Sequence, residues 1–188
     1  MRITLAVIVA CLMVGAACGE SGSPAGPSGA GGTFSLMLKD SPFSDAKSVL
    51  VTFSRVTAHR DTEDAFATLP FSGGATSRTC DLKKLENAQD ILGVGTLAAG
   101  RYTQVRLVVS TATIYFDNAA TGPACAASIA PPSGNHAALE IPSDVVRLNR
   151  QFEVSANGAT TMLIDFDGER SIHQTGNGRG SAPSSGGN

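Results

Sequence analysis

Apolar and polar residues alternate with period two through most of the middle of the chain, the pattern of strands that bury one face in a sheet. In residues 48–58, Val49, Val51 and Phe53 fall on one face and Leu50 on the other, and Thr52, Val56 and Thr57 add the β-branched side chains that suit a pleated surface. Residues 101–110 repeat the pattern more cleanly. Thr103, Val105, Leu107 and Val109 face one way, and Tyr102, Gln104 and Arg106 the other, until Val108 breaks the polar row. The same reasoning predicts strands over 33–38, 65–69, 112–116, 137–141, 151–154 and 160–166. About eight short strands divided by Gly- and Pro-containing turns predict an all-β fold, an antiparallel β-sandwich of immunoglobulin-like or transthyretin-like type. One segment departs from period two. Residues 81–90 read as a short helical insert, with Asp81 as N-cap and Leu82, Leu85 and Ala88 on one stripe, covering one end of a sheet.

The two ends follow other rules. Arg2 precedes an uncharged run, residues 3–17, that closes in small residues before Cys18. This is the three-part pattern of a secretory leader, and at roughly 15 residues it falls short of the ~20 that span a bilayer. Val14-Gly15-Ala16-Ala17-Cys18 resembles a lipobox, which makes residues 1–17 a signal peptide and Cys18 the lipidated N-terminus of the mature chain. Cys11 is disfavoured, because it would leave a hydrophobic segment of only about eight residues. Residues 18–32 are nearly all Gly, Ser, Pro and Ala, too poor in apolar surface to offset their ordering entropy, and read as a flexible tether with a reach of roughly 20 Å. Residues 175–188 share that composition and read as a disordered tail. The folded body is then 33–174. The expected location is the cell envelope, with the protein held at a membrane by its N-terminal lipid and the outer membrane or cell surface favoured, since Gly19 follows the cysteine.

Charge excludes one class of partner. The formal net charge is −2 and becomes one unit more negative when Arg2 leaves with the leader. Nucleic acid would require a clustered basic excess, so none is expected as partner. Cys80 and Cys125 are the pair remaining after Cys11 and Cys18, and in an oxidising compartment they predict a disulfide. Leu97-Ala98-Ala99-Gly100-Arg101-Tyr102 resembles the corner entering a sandwich strand, where a Tyr hydroxyl bonds an upstream backbone group. Gly100 and Tyr102 are its structural residues.

The order of segments is itself informative. Ser35-Leu36-Met37-Leu38-Lys39-Asp40-Ser41-Pro42, Val49-Leu50-Val51-Thr52-Phe53-Ser54-Arg55-Val56, Asp81-Leu82, Gly100 to Leu107, Ile141-Pro142-Ser143, and Leu163-Ile164-Asp165-Phe166-Asp167 with Ser171 together resemble the bacterial lipoprotein domain known as domain of unknown function 4382. The resemblance covers roughly residues 32–176. It implies an envelope-located β-sandwich and brings no assigned activity. Residues 178–188 stand where that family has a final apolar strand, which implies either an open sheet edge or loss of that strand, and Phe66 stands where it often has Trp.

Candidate chemistry rests on carboxylates. Period two puts Asp165 and Asp167 on one face, about 7 Å apart. With Asp40 they are the candidate ligands of an all-oxygen Ca²⁺ site, against the plainer reading that Asp40 caps its turn while Asp165 and Asp167 pair with Arg170 or Arg106 or stay solvated. His59, His136 and His173 lack metal-ligand spacing, so no zinc is expected. No catalytic motif occurs. The expected function is therefore a non-enzymatic binding or scaffold module with a protein or peptide partner in the envelope and no cofactor. The alternatives are a Ca²⁺-dependent peptide- or carbohydrate-binding domain and a hydrolase using Asp165 with Asp167.

Overall fold

The computed structural model describes residues 30–41 and 46–167. The leader, Cys18, the tether as far as residue 29 and the tail from 168 onward lie outside the described residues, as does His173. In chain order the strands are β1 (Gly31–Ser41), β2 (Ser48–Arg60), β3 (Phe66–Leu69), β4 (Arg78–Asp81), β5 (Asp90–Ala98), β6 (Gly100–Tyr115), β7 (Cys125–Ala126), β8 (His136–Ala138), β9 (Val145–Leu148), β10 (Phe152–Val154) and β11 (Ala159–Asp167), with one helical turn, α1 (Leu82–Leu85), between β4 and β5.

These strands form the two layers of a β-sandwich. The small sheet has the order β11-β1-β5, with β1 parallel to β11 and antiparallel to β5. The large sheet is built on β2 and β6, of 13 and 16 residues, which pair along nearly their whole length. β3 and β4 share the free side of β2, β7 extends β4, and β8, β9 and β10 line the far side of β6. Between the layers, Phe34, Leu36 and Leu38 of β1 and Ile164 of β11 meet Val49, Val51 and Phe53 of β2 and Val105, Leu107 and Val109 of β6, all buried. Aromatic rings bridge the layers. Phe34 stacks on Phe152 at 4.9 Å between centroids, and Phe152 on Tyr102 at 5.0 Å. Leu50, on the outer face of β2, is covered separately by Tyr115 and Ala120.

The alternation in β2 and β6 changes phase midway. β2 buries Val49, Val51 and Phe53, then Val56 and Ala58, and β6 buries Val105, Leu107 and Val109, then Ala112 and Ile114. The pairing register shifts at Ser54 and at Ser110, and each shift is a β-bulge that returns apolar side chains to the core. Both serine hydroxyls donate across the pair: Ser110 Oγ to the Thr52 carbonyl at 3.3 Å and Ser54 Oγ to the Val108 carbonyl at 3.4 Å. What reads from sequence as two strands, 101–110 and 112–116, is one bulged strand.

Other elements also depart from the sequence reading. The helical insert is one turn, not ten residues. Asp81 Oδ1 caps it, accepting from Lys83 N at 3.2 Å and also from Val49 N at 3.0 Å, and Leu82 and Leu85 are buried while Ala88 is exposed. It stops because Asp90 is held elsewhere, accepting from Arg78 Nη2 at 2.9 Å and Cys125 N at 3.2 Å, so the chain re-extends into β5. β1 starts inside the predicted tether. A side chain at Gly32 would come within 2.3 Å of the Ser155 carbonyl oxygen, so only glycine lets that backbone approach.

Candidate functional site

The sequence-derived carboxylates do not converge. In the β1–β11 register Lys39 pairs with Asp165, Asp40 with Phe166 and Ser41 with Asp167. Paired residues share a face, so Asp165 and Asp167 point outward while Asp40 lies on the core side, 2% exposed. The sheet itself stands between them, and this corrects the three-carboxylate Ca²⁺ constellation. Asp165 is bonded to Lys39 Nζ at 3.3 Å, not to Arg106, which belongs to the other sheet. His59 and His136 pair with positions 104 and 115 of β6, about 35 Å apart along an extended strand.

The remaining predicted residues are structural in their surroundings. Cys80 and Cys125 form a disulfide between β4 and β7, joining directly opposed positions. Tyr102, 1% exposed, donates its hydroxyl proton to the Ala98 carbonyl at 2.9 Å. This bond spans the corner where the chain leaves the small sheet through Gly100, whose φ of 140° lies outside the usual range of L side chains. Burial raises the Tyr102 pKa above its ordinary value; the nearby Arg60 opposes the shift and Glu63 adds to it.

The residues that do converge lie on the outer face of the large sheet, where the sequence reading assigned no chemistry. Phe66 of β3, His59 of β2 and Gln104 of β6 form one cross-strand row, and Thr57, Arg106 and Arg147 of β9 form the next. Arg106 leans along the sheet until its guanidinium lies 3.7 Å from the Phe66 ring centre, and beneath it Thr57 is buried. His59 packs on Phe66 with 4.8 Å between ring centres and shares a 3.0 Å hydrogen bond with the Thr103 hydroxyl. A relay of amides runs the other way. Arg106 Nε donates to Gln104 Oε1, and Gln104 Nε2 donates to Asn149 Oδ1, both at 2.5 Å. His59, Phe66, Thr103, Gln104, Arg106 and Asn149 line a cleft of about 370 Å³. Among the described residues, the ion pairs are Lys39–Asp165, Arg60–Glu63, Arg78–Asp90 and Lys83–Glu86, and none involves Arg106, Arg147 or the exposed Arg55 on the same face.

Period two had placed Gln104 and Arg106 together on the polar face of their strand. It could not bring in Phe66, His59 or Arg147, which reach that face only through strand order and register.

A family model described as Domain of unknown function (DUF4382) matches residues 31–181. No curated protein and no solved structure matches the chain.

Proposed function

The chain belongs to the DUF4382 family, and from that premise we propose that it is a non-enzymatic binding module of the cell envelope, tethered through a lipid on Cys18 and using the outer face of its large sheet. The observation that carries this reading is the cleft around Arg106. Its polar groups are fixed by one another and by Phe66, so the surface is ordered before any partner arrives, which lowers the entropic cost of binding. The leader and the composition of the segment between Cys18 and β1 support the anchored half. A flexible chain of that length holds a domain within roughly 20 Å of a membrane and leaves it free to turn.

Two measurements test the two halves. Metabolic labelling with an alkynyl fatty acid in the producing bacterium, followed by fractionation, should find the chain acylated and in the membrane fraction, and Cys18→Ser unlabelled and released. For the binding half, a photocrosslinking residue is placed in living cells at position 108, on the outer face of the large sheet, or at position 163, on that of the small sheet. Discrete adducts at 108 are expected. Adducts confined to 163 would move the binding surface to the small sheet, and their absence from both positions would sink the binding reading.

A further inference from the structure

We propose that the outer face of the small sheet docks on the lipid bilayer that holds Cys18. This rests on the anchored half of the reading above, and it orients a domain that the tether alone leaves free to turn.

The large apolar side chains left open to solvent gather on this face. Leu163 of β11 is 46% exposed, and Ile91 and Val94 of β5 are each 38% exposed. Among the described residues, Phe116 is the only other large apolar side chain so open. Register sets Met37 of β1 between Leu163 and Ile91, and Ser35 between Thr161 and Val94. The next row toward the start of β1 is Ala159, Thr33 and Thr96. Three successive cross-strand rows therefore carry no charge. Charge begins one row further along β1, where Lys39 Nζ meets Asp165 at 3.3 Å, with Asp167 beyond.

The place where the tether joins selects the occupant. The chain from Cys18 enters the fold at Gly31, the first residue of β1, which is the uncharged end of this face. Met37 lies about 20 Å further along the strand. A flexible chain from Cys18 to β1 has an r.m.s. reach of roughly 20 Å, so the face can lie flat on the lipids without stretching it. A tethered face acts at high local concentration and needs little affinity of its own. A protein partner needs more. Three rows on three strands cover only about 300 Å², against roughly 800 Å² on each side of a stable protein–protein interface. Uncharged apolar side chains instead suit the boundary between head groups and acyl chains. Because the inner faces of the two layers meet in the core, this docking turns the Arg106–Phe66 face away from the bilayer.

The test uses the full mature chain, acylated at Cys18, in vesicles of phosphatidylethanolamine and phosphatidylglycerol. An environment-sensitive fluorophore is attached in Thr96→Cys or Thr161→Cys, which keep the four apolar side chains, or in Arg55→Cys on the large sheet. Cys80 and Cys125 are bonded to each other, so the added thiol is the site of labelling. On the vesicles, iodide quenching should fall severalfold and emission should move to the blue at positions 96 and 161, with position 55 unchanged. An uncharged face makes this protection insensitive to salt and to replacing phosphatidylglycerol by phosphatidylcholine. Leu163→Glu should restore quenching at position 96 with little change in thermal midpoint. Ser35→Glu, which removes no apolar side chain, should do the same.

Labels at 96 and 161 that stay as open to iodide as the one at 55, on vesicles that hold the acylated chain, overturn the docking proposal and leave the anchor standing. A Cys18 that carries no lipid takes the docking down with the anchor. Protection in Cys18→Ser without vesicles, rising with protein concentration, would give the face to a second copy of the chain and overturn the proposal as well.

Discussion

The large sheet is organised around two long strands paired nearly end to end, and the Cys80–Cys125 bond crosslinks one of its margins. The small sheet has three strands, and its parallel pair joins the two ends of the described chain, Lys39 and Asp165 being separated by 126 positions in sequence. Their outer faces differ as much. The large sheet presents Arg55, Arg106 and Arg147, with Arg106 lying across the Phe66 ring, whereas the small sheet presents Met37 between its cross-strand partners Leu163 and Ile91, with Val94 beside them. The long β2–β6 ladder of the large sheet joins residues 42 to 67 apart in sequence, and β1–β5 of the small sheet is similar, so the β1–β11 pair is the most distant of these ladders. The small sheet closes a long loop before its contacts form, so its order depends on the layer it rests on.

Three substitutions test that contrast. Phe34→Ala removes the small-sheet ring from the Phe34–Phe152–Tyr102 stack and should cost about 3–5 kcal/mol in urea denaturation. Amide exchange in β1 and β11 should accelerate before that in β2 and β6. Equal acceleration in both layers would show that the sandwich opens as one unit. Next in size, Cys80→Ala/Cys125→Ala should cost about 2–4 kcal/mol by constraining the unfolded chain less. Its local effect should fall on β4 and β7 and leave the small sheet's exchange pattern unchanged.

Tyr102→Phe has the smallest expected effect, about 1 kcal/mol for the bond to Ala98 at the corner between the layers. It also carries a sign. The folded-state pKa of Tyr102 is raised above 10.0 by burial, so the folded protein holds the phenolic proton more tightly than the unfolded chain does. That contribution is fully present below the unfolded pKa and is lost as pH rises through the folded one. Alkaline denaturation curves of the wild type should therefore decline from about pH 10, with Tyr102→Phe lacking that part of the slope.

Legibility from sequence also divides between the layers. β2 and the first half of β6 were plain because one face of each is apolar over several repeats. β5 was missed. Its inward positions 93 and 95 are glycine because the Leu69–Pro70 segment lies against them, a Cβ at Gly93 coming within 2.8 Å of the Pro70 carbonyl oxygen, while Ile91 and Val94 point outward. Leu92 and Leu97 of β5 are buried in the core, but glycines at two inward positions and apolar residues at two outward ones break the alternation by which strands are read. β4, β7 and β9 are too short to show a period, and they exist because β2, β4 and β6 offer them a free edge. The site was half visible, since Gln104 and Arg106 stood on a polar face and Phe66 was noted only as a replacement for Trp.

What could be read from the amino-acid order is local or statistical: the all-β class, β2 and the first half of β6, Asp81 as a helix cap, the pairing of Cys80 with Cys125 and membership of the family. These follow from periodicity, composition and short-range chemistry, each expressed within a few residues or by elimination. Tertiary structure alone decided which faces meet. Register put Asp40 on the opposite side of its sheet from Asp165 and Asp167, and it set Arg106 across from Arg147 and within reach of Phe66. A one-residue slip in any of these pairings would turn the side chains to the other face, and the alternation within a single strand carries no information about its neighbour's register.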